Sequence, residues 1–253
     1  MKRILIAGAL ALAAGGQALA ADLPQPMPPP PPRAPATYVP TTAPVYNWSG
    51  FYLGVNGGYG FGKSNWSVPA GTVIGGAPCS PCSIGSFSTD GFLVGGTLGA
   101  NYQAGAFVFG IEGDIDWADV NGTSSNSYCS TALPGATSCE TKSNWLGTAR
   151  ARVGYAFDRI LLYATGGGAF GNIQAGLNGG SFASATEYGW TAGAGIEAAI
   201  AQNWTAKIEY LYVDLGNLTC SGACGVIGGV PLAITVPLTE SLVRAGINYK
   251  FSF

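Results

Sequence analysis

From Val243 to the last residue, the run Glu240–Phe253 (ESLVRAGINYKFSF) alternates without a break. Apolar side chains stand at 243, 245, 247, 249, 251 and 253, with polar, charged or glycine positions between them. Successive residues of a strand point to opposite faces, so this is a strand with one wholly apolar face. A soluble sheet hides such a face on a core and turns its charges to water. A sheet that spans a membrane does the reverse, and because no backbone group can go unpaired in lipid it must close into a barrel.

The rest of the chain repeats the pattern. From Trp48 onward eight runs alternate: roughly 50–61, 91–103, 106–118, 144–156, 160–171, 187–201, 204–215 and 240–253. Their connections alternate in length. Ala104-Gly105, Phe157-Asp158-Arg159 and Gln202-Asn203 read as tight turns, whereas 62–90, 119–143, 172–186 and 216–239 are long. The spacing predicts an all-β fold, an eight-stranded antiparallel transmembrane β-barrel with short periplasmic turns and four long outer loops.

The charges say which face points in. In the third run Phe107, Phe109, Ile111, Ile115 and Trp117 share one parity, and Glu112, Asp114 and Asp116 share the other. Arg150 and Arg152, Glu187 and Glu197, Lys207 and Glu209, and Glu240, Arg244 and Lys250 likewise stand opposite the apolar positions of their own runs. A soluble sandwich would face them to water; a barrel in lipid must turn all twelve inward. Seven are acidic and five basic, which predicts a lumen network that neutralises itself, since an unpaired buried charge costs several kcal/mol. Aromatic residues on the apolar parity gather near both ends of the runs, as two interfacial girdles. The fifth run, ILLYATGGGAFG, is small or apolar on both parities and leaves the facing of Tyr163 open.

Composition agrees. Charged residues are 9% of the chain, against ~25% in ordinary soluble domains. Mean hydropathy is +0.27, yet no run reaches the ~20 apolar residues of a membrane helix. A net charge of −2 and a pI near 5.0 give no case for nucleic acid, which calls for a basic patch. Lys2 and Arg3, the apolar stretch Ile4 to Ala14 and the small-x-small site Ala18-Leu19-Ala20 read as a cleaved secretory signal at 1–20. A retained anchor is the alternative, but Gly15-Gly16-Gln17 interrupts the stretch too early. Residues 21–46, with PMPPPPPRAP, form a Pro-rich periplasmic linker of polyproline II character, or alternatively a PxxP ligand. The barrel takes 47–253.

Six cysteines fall as three close pairs, Cys79 with Cys82, Cys129 with Cys139 and Cys220 with Cys224, each within one long loop. In an exported protein this favours three local disulfides. A redox CxxC needs a helix N-terminus that the loop around Cys79 lacks, and a zinc site needs its ligands gathered in one place. Gly57 to Ser64 spells GxxxxGK[ST], and Gly166, Gly168 and Gly171 spell GxGxxG, but neither leads into a helix, so neither cradles a phosphate. The chain has no histidine, so serine–histidine chemistry has no base here. The inward cluster of Glu112, Asp114, Asp116, Arg150 and Arg152 could in principle be catalytic. A structural plug is the stronger reading, because eight strands enclose only enough room for side chains. No catalytic, cofactor or metal site is expected.

Trp48-Ser49-Gly50-Phe51-Tyr52, Gly110-Ile111-Glu112-Gly113-Asp114-Ile115-Asp116-Trp117, Asn144-Trp145-Leu146-Gly147-Thr148-Ala149-Arg150, Glu209 to Gly216 (EYLYVDLG) and the terminal Phe253 together resemble the RopB-type small outer-membrane proteins of alphaproteobacteria. The resemblance covers most of 47–253 and implies an OmpA-membrane-domain type of barrel in a group often called "porin family". It also implies that Phe253 closes the signal read by the barrel-assembly machinery. The expected surroundings are outer-membrane lipids and lipopolysaccharide; the oligomeric state is open. Three functions follow as candidates: envelope integrity with surface presentation, a narrow channel for small solutes or ions, and a loop-based adhesin or receptor for a host or surface ligand.

Overall fold

The computed structural model describes residues 46–68, 73–74, 77–78, 82–125, 138–178, 182–227 and 230–251. In chain order the strands are β1 (Gly50–Val68), β2 (Val73–Ile74), β3 (Ala77–Pro78), β4 (Cys82–Ala104), β5 (Phe107–Ser124), β6 (Cys139–Phe157), β7 (Ile160–Leu177), β8 (Phe182–Ala199), β9 (Trp204–Ile227) and β10 (Val230–Phe251). Eight of them close an antiparallel barrel in the order β1-β10-β9-β8-β7-β6-β5-β4, while β2 and β3 pair only with each other. The terminal run seals the wall by pairing Phe251 with Phe51 and continuing to Thr235 opposite Ser67.

The tight turns are built from residues that can take a positive φ. Gly105, at φ 64°, opens the two-residue turn between β4 and β5. Asp158, at φ 53°, does the same between β6 and β7. A positive φ at the first turn position matches the twist of the flanking strands, and aspartate tolerates it better than most residues.

Every barrel strand outruns its apolar alternation on the outer side, and in all but β8 this goes with a reversal of polarity. Between the girdles the wall is apolar outside, with Phe51, Leu53 and Val55 exposed on β1, and charged inside. Past Phe61, Phe92 and Trp117 the pattern inverts. Lys63, Asn65, Asp90, Asp119, Asn121 and Thr219 turn outward, whereas Trp66, Val120, Leu146, Ile173, Leu215, Val236 and Leu238 are buried inside. The outer half is thus a water-facing barrel with an apolar core, continuous with the membrane half. The register shift at Ser143/Leu146 on β6 lies at this boundary, where one extra residue moves the inward positions from even (Leu146, Thr148) to odd (Ser143, Thr141).

One seam of the wall opens. β8 pairs with β9 only from Ala199↔Thr205 to Trp190↔Asp214, although β8 continues to Phe182 along β7 and β9 continues to Ile227 along β10. The departure is local chemistry. Asp214 Oδ1 accepts the Gly216 N–H at 2.9 Å, and Gly216 takes φ 74°. A Cβ at Gly189 would lie 1.7 Å from the Asp214 carbonyl and 2.8 Å from Leu215 Cα, so only glycine lets β9 pass this close to β8 as it leaves. Beyond that point β9 packs on β7. A Cβ at Gly171 would sit 3.2 Å from Leu215 Cδ1, and Cys220 Sγ lies 3.9 Å from the Ala175 carbonyl.

Candidate functional site

The strand register brings charges of β5, β6, β8, β9 and β10 into one layer inside the membrane half. Glu112 stands beside Arg150, and Glu209 beside Arg244. Arg150, on β6, reaches Glu112 at 2.6 Å, Asp114 at 2.8 Å and Glu209 at 2.7 Å, and its Nε donates to Thr148 at 2.9 Å. Arg152 pairs with Glu197 at 2.6 Å and Glu112 at 3.3 Å. Arg244 bridges Asp114, Asp116 at 2.5 Å and Glu209 at 2.7 Å, and Lys207 reaches Glu112 at 2.9 Å. With a longer approach of Lys207 to Glu209 at 3.9 Å, ten ion pairs hold four cations against five carboxylates, all with side chains no more than 3% exposed.

Neutral groups complete the layer. Tyr52 donates to Glu112 at 2.7 Å, and Thr205 and Asn248 donate to Glu197 at 2.5 and 2.9 Å. Tyr163, whose facing the sequence left open, points inward: its ring lies 4.1 Å from the Arg152 guanidinium and its hydroxyl 3.4 Å from Glu209. A guanidinium over an aromatic face gains from the ring quadrupole while still holding its carboxylates.

Three of the twelve inward charges stand outside this layer. Glu187 lies on the part of β8 that β9 has left; it is half-buried and meets no cation among the described residues. Glu240 sits above the network, 3% exposed, between inward-facing Leu238 and Leu242, and its Oε1 has no hydrogen-bond partner among the described residues. Lys250 sits below it, donating to the Asn47 carbonyl with its ammonium 4.3 Å from the Tyr46 ring. Parity placed all three inward but carries no information about height along the axis.

The sequence also placed Tyr46 in the linker and Trp48 merely at the barrel's start. Instead, Tyr46 to Ser49 fold across the periplasmic mouth. Trp48, 1% exposed, packs with Val108, Leu161, Tyr163 and Ala199. Its Nε1 donates to the Asp158 carbonyl at 3.0 Å, its backbone N–H to Gln103 Oε1 at 2.7 Å, and the Tyr46 N–H to Asp158 Oδ1 at 2.9 Å. Burial pushes the Tyr46 phenol up to about 12; Glu197 adds to this and Arg159 opposes it. An isolated tryptophan next to a serine carried no sequence signal for this role.

The interior therefore holds three layers: a Trp48 base, an ion-pair layer and an apolar outer core. Among the cysteines, Cys220 and Cys224 are bridged with Cα atoms 5.8 Å apart. Cys139 is disulfide-bonded, while its expected partner Cys129, Cys79 and the side chain of Cys82 lie outside the described residues, as does Phe253. Among the described residues no cluster of three or more histidine, cysteine, aspartate or glutamate side chains is placed to hold a metal ion.

An apolar exterior between aromatic girdles, a charged interior and a closed antiparallel wall define an integral β-barrel of the Gram-negative outer membrane. Comparison with known proteins makes the family specific: residues 31–251 match the outer membrane protein beta-barrel domain, and the chain belongs to that family. It is 37% identical over 228 residues to the 31 kDa outer-membrane immunogenic protein of Brucella melitensis, covering 84% of this chain and 88% of the relative. It is 32% identical over 252 residues to the 25 kDa outer-membrane immunogenic protein of Brucella abortus, covering 99% of each. The 22 kDa outer membrane protein of Rhizobium leguminosarum bv. viciae is 32% identical over 214 residues, 82% of this chain and 80% of that one. Among solved structures, Neisserial surface protein A superposes with a TM-score of 0.43 at 16% identity, over 80% of this chain and 98% of that one.

Proposed function

We propose that this barrel is a non-enzymatic structural component of the outer membrane, contributing to envelope integrity and raising its outer loops above the lipid, with a lumen filled by side chains. The observation that carries this reading is the Arg150/Arg152/Arg244 layer, whose ion pairs occupy the bore between Trp48 below and the Leu211/Leu215/Leu238 core above. Eight strands enclose about one layer of side chains, so these groups leave no continuous aqueous path. Glu112, Asp114 and Glu209, each held by two or three cations, are also poor proton carriers, which favours a scaffold over a catalyst. The signal peptide at 1–20, the Pro-rich spacer at 21–46 and the sorting role of Phe253 belong to the same proposal, as do the bridges Cys79–Cys82 and Cys129–Cys139.

Deleting the gene in its host tests this reading. Sensitivity to bile-salt detergent should rise while uptake of small hydrophilic solutes stays unchanged. Slower uptake with unchanged sensitivity would instead support the channel.

A further inference from the structure

Where β9 leaves the wall, β8 keeps one neighbour and loses the other. From Phe182 to Tyr188 it pairs with β7, Gly176 to Phe170, and no described strand pairs with its opposite edge. In a strand the backbone groups of alternate residues aim at each edge, so roughly half of those seven residues present N–H and C=O groups to the gap. Natural proteins blunt such edges with lysine, proline or bulges. FASATEY has no lysine, proline or bulge; its one guard of this kind is the single inward-turned charge of Glu187. The segment lies above the outer girdle, on the water-facing part of the barrel, with Phe182 37% and Tyr188 76% exposed on its outer face. Its inner face carries Ala183, Ala185 and the half-buried Glu187, a carboxylate with no ion pair among the described residues.

We infer that Phe182–Tyr188 is a docking edge for an extended peptide segment of a surface partner, which adds a strand to β8 and places a lysine or arginine opposite Glu187. Strand addition takes its affinity from main-chain hydrogen bonds and its specificity from alternate side chains. Glu187 supplies the charge criterion: it is turned inward and lacks a cation on its own barrel. Ala183 and Ala185 require small residues on the partner's inner face. Phe182 and Tyr188 favour aromatic or β-branched residues on the outer one. A second copy does not fit. Two barrels upright in one membrane would bring their β8 edges together at about twice the strand tilt, ~70–90°, too steep for a ladder.

The probe is a fluorescent synthetic peptide of that pattern, lysine opposite Glu187, titrated against the full mature protein in lipid nanodiscs by anisotropy. Saturable binding is expected. Two forms of the peptide, N-methylated on alternate residues along one edge or the other, should separate: one loses at least tenfold in affinity and the other keeps it. Glu187→Lys should lose the lysine peptide by at least fivefold and gain its glutamate counterpart. Equal binding of both methylated forms, no charge swap, or no saturation overturns the inference. So does slow exchange of those amides of 182–188 that point away from β7 in the free protein, which would mean its own chain covers the edge, or displacement of the peptide by self-association at higher protein concentration.

Discussion

Arg150 meets three carboxylates, as many as any cation of the lumen, and replacing it tests whether the ion-pair layer holds the barrel together. Arg150→Met keeps most of the volume but removes contacts to Glu112, Asp114 and Glu209 at 2.6–2.8 Å. Three cations then face five carboxylates in a layer closed to water. Breaking a buried pair typically costs about 3–5 kcal/mol, because the stranded charge keeps its desolvation cost and loses its partner. The lower end applies, since Glu112 retains Lys207 and Arg152, and Asp114 and Glu209 retain Arg244. With a urea dependence of ~1–3 kcal/mol/M, the unfolding midpoint should fall by roughly 1–3 M. Protein folded into lipid vesicles and titrated with urea, followed by tryptophan fluorescence and by heat-dependent gel mobility, gives that midpoint. Adding Glu209→Gln to Arg150→Met should restore at least about 1 kcal/mol by removing one stranded carboxylate, a coupling that independent sites do not show. An unchanged midpoint in a folded Arg150→Met barrel, or strictly additive effects in the pair, would refute the reasoning.

The same titration separates other buried groups. Glu240→Leu should leave the midpoint unchanged or raise it, by about 1–3 kcal/mol of relieved burial, because Glu240 Oε1 has no partner among the described residues; a clear loss would reveal a partner. Trp48→Ala should cost about 3–5 kcal/mol, as truncation of a fully packed aromatic does, and a neutral result would mean the base layer is ornamental. Non-reducing peptide mapping should recover Cys220 joined to Cys224, and on the proposed pairing Cys79 to Cys82 and Cys129 to Cys139; inter-loop crosslinks would contradict the local scheme.

Strand number, order and the inward parity of Glu112, Asp114, Arg150, Arg152, Lys207 and Arg244 were legible in the sequence, because lipid imposes one polarity rule on every membrane strand. The outer extension was hidden for the same reason. Past Phe61 the rule reverses, so Lys63, Asn65 and Trp66 looked like a loop when they continue β1. Height along the axis was also invisible: parity could not show that Glu240 lies in an apolar layer or that Glu187 lost its neighbour when Gly216 turned β9 away. Trp48 was missed because its partners Gln103 and Asp158 are 55 and 110 residues distant, and no local pattern announces such a contact.

The central claim is that the interior is filled from the periplasmic mouth to the outer core, and single-channel recording in a planar bilayer tests it most directly. Purified wild-type protein, with contaminating porins excluded, should give no steady, size-selective conductance. Arg150→Ala, Arg152→Ala and Glu112→Ala combined empty only the ion-pair layer, so the Trp48 base and the apolar outer core should still block steady conductance. Stable, reproducible conductance steps from the wild type would contradict the filled lumen and establish a channel in its place.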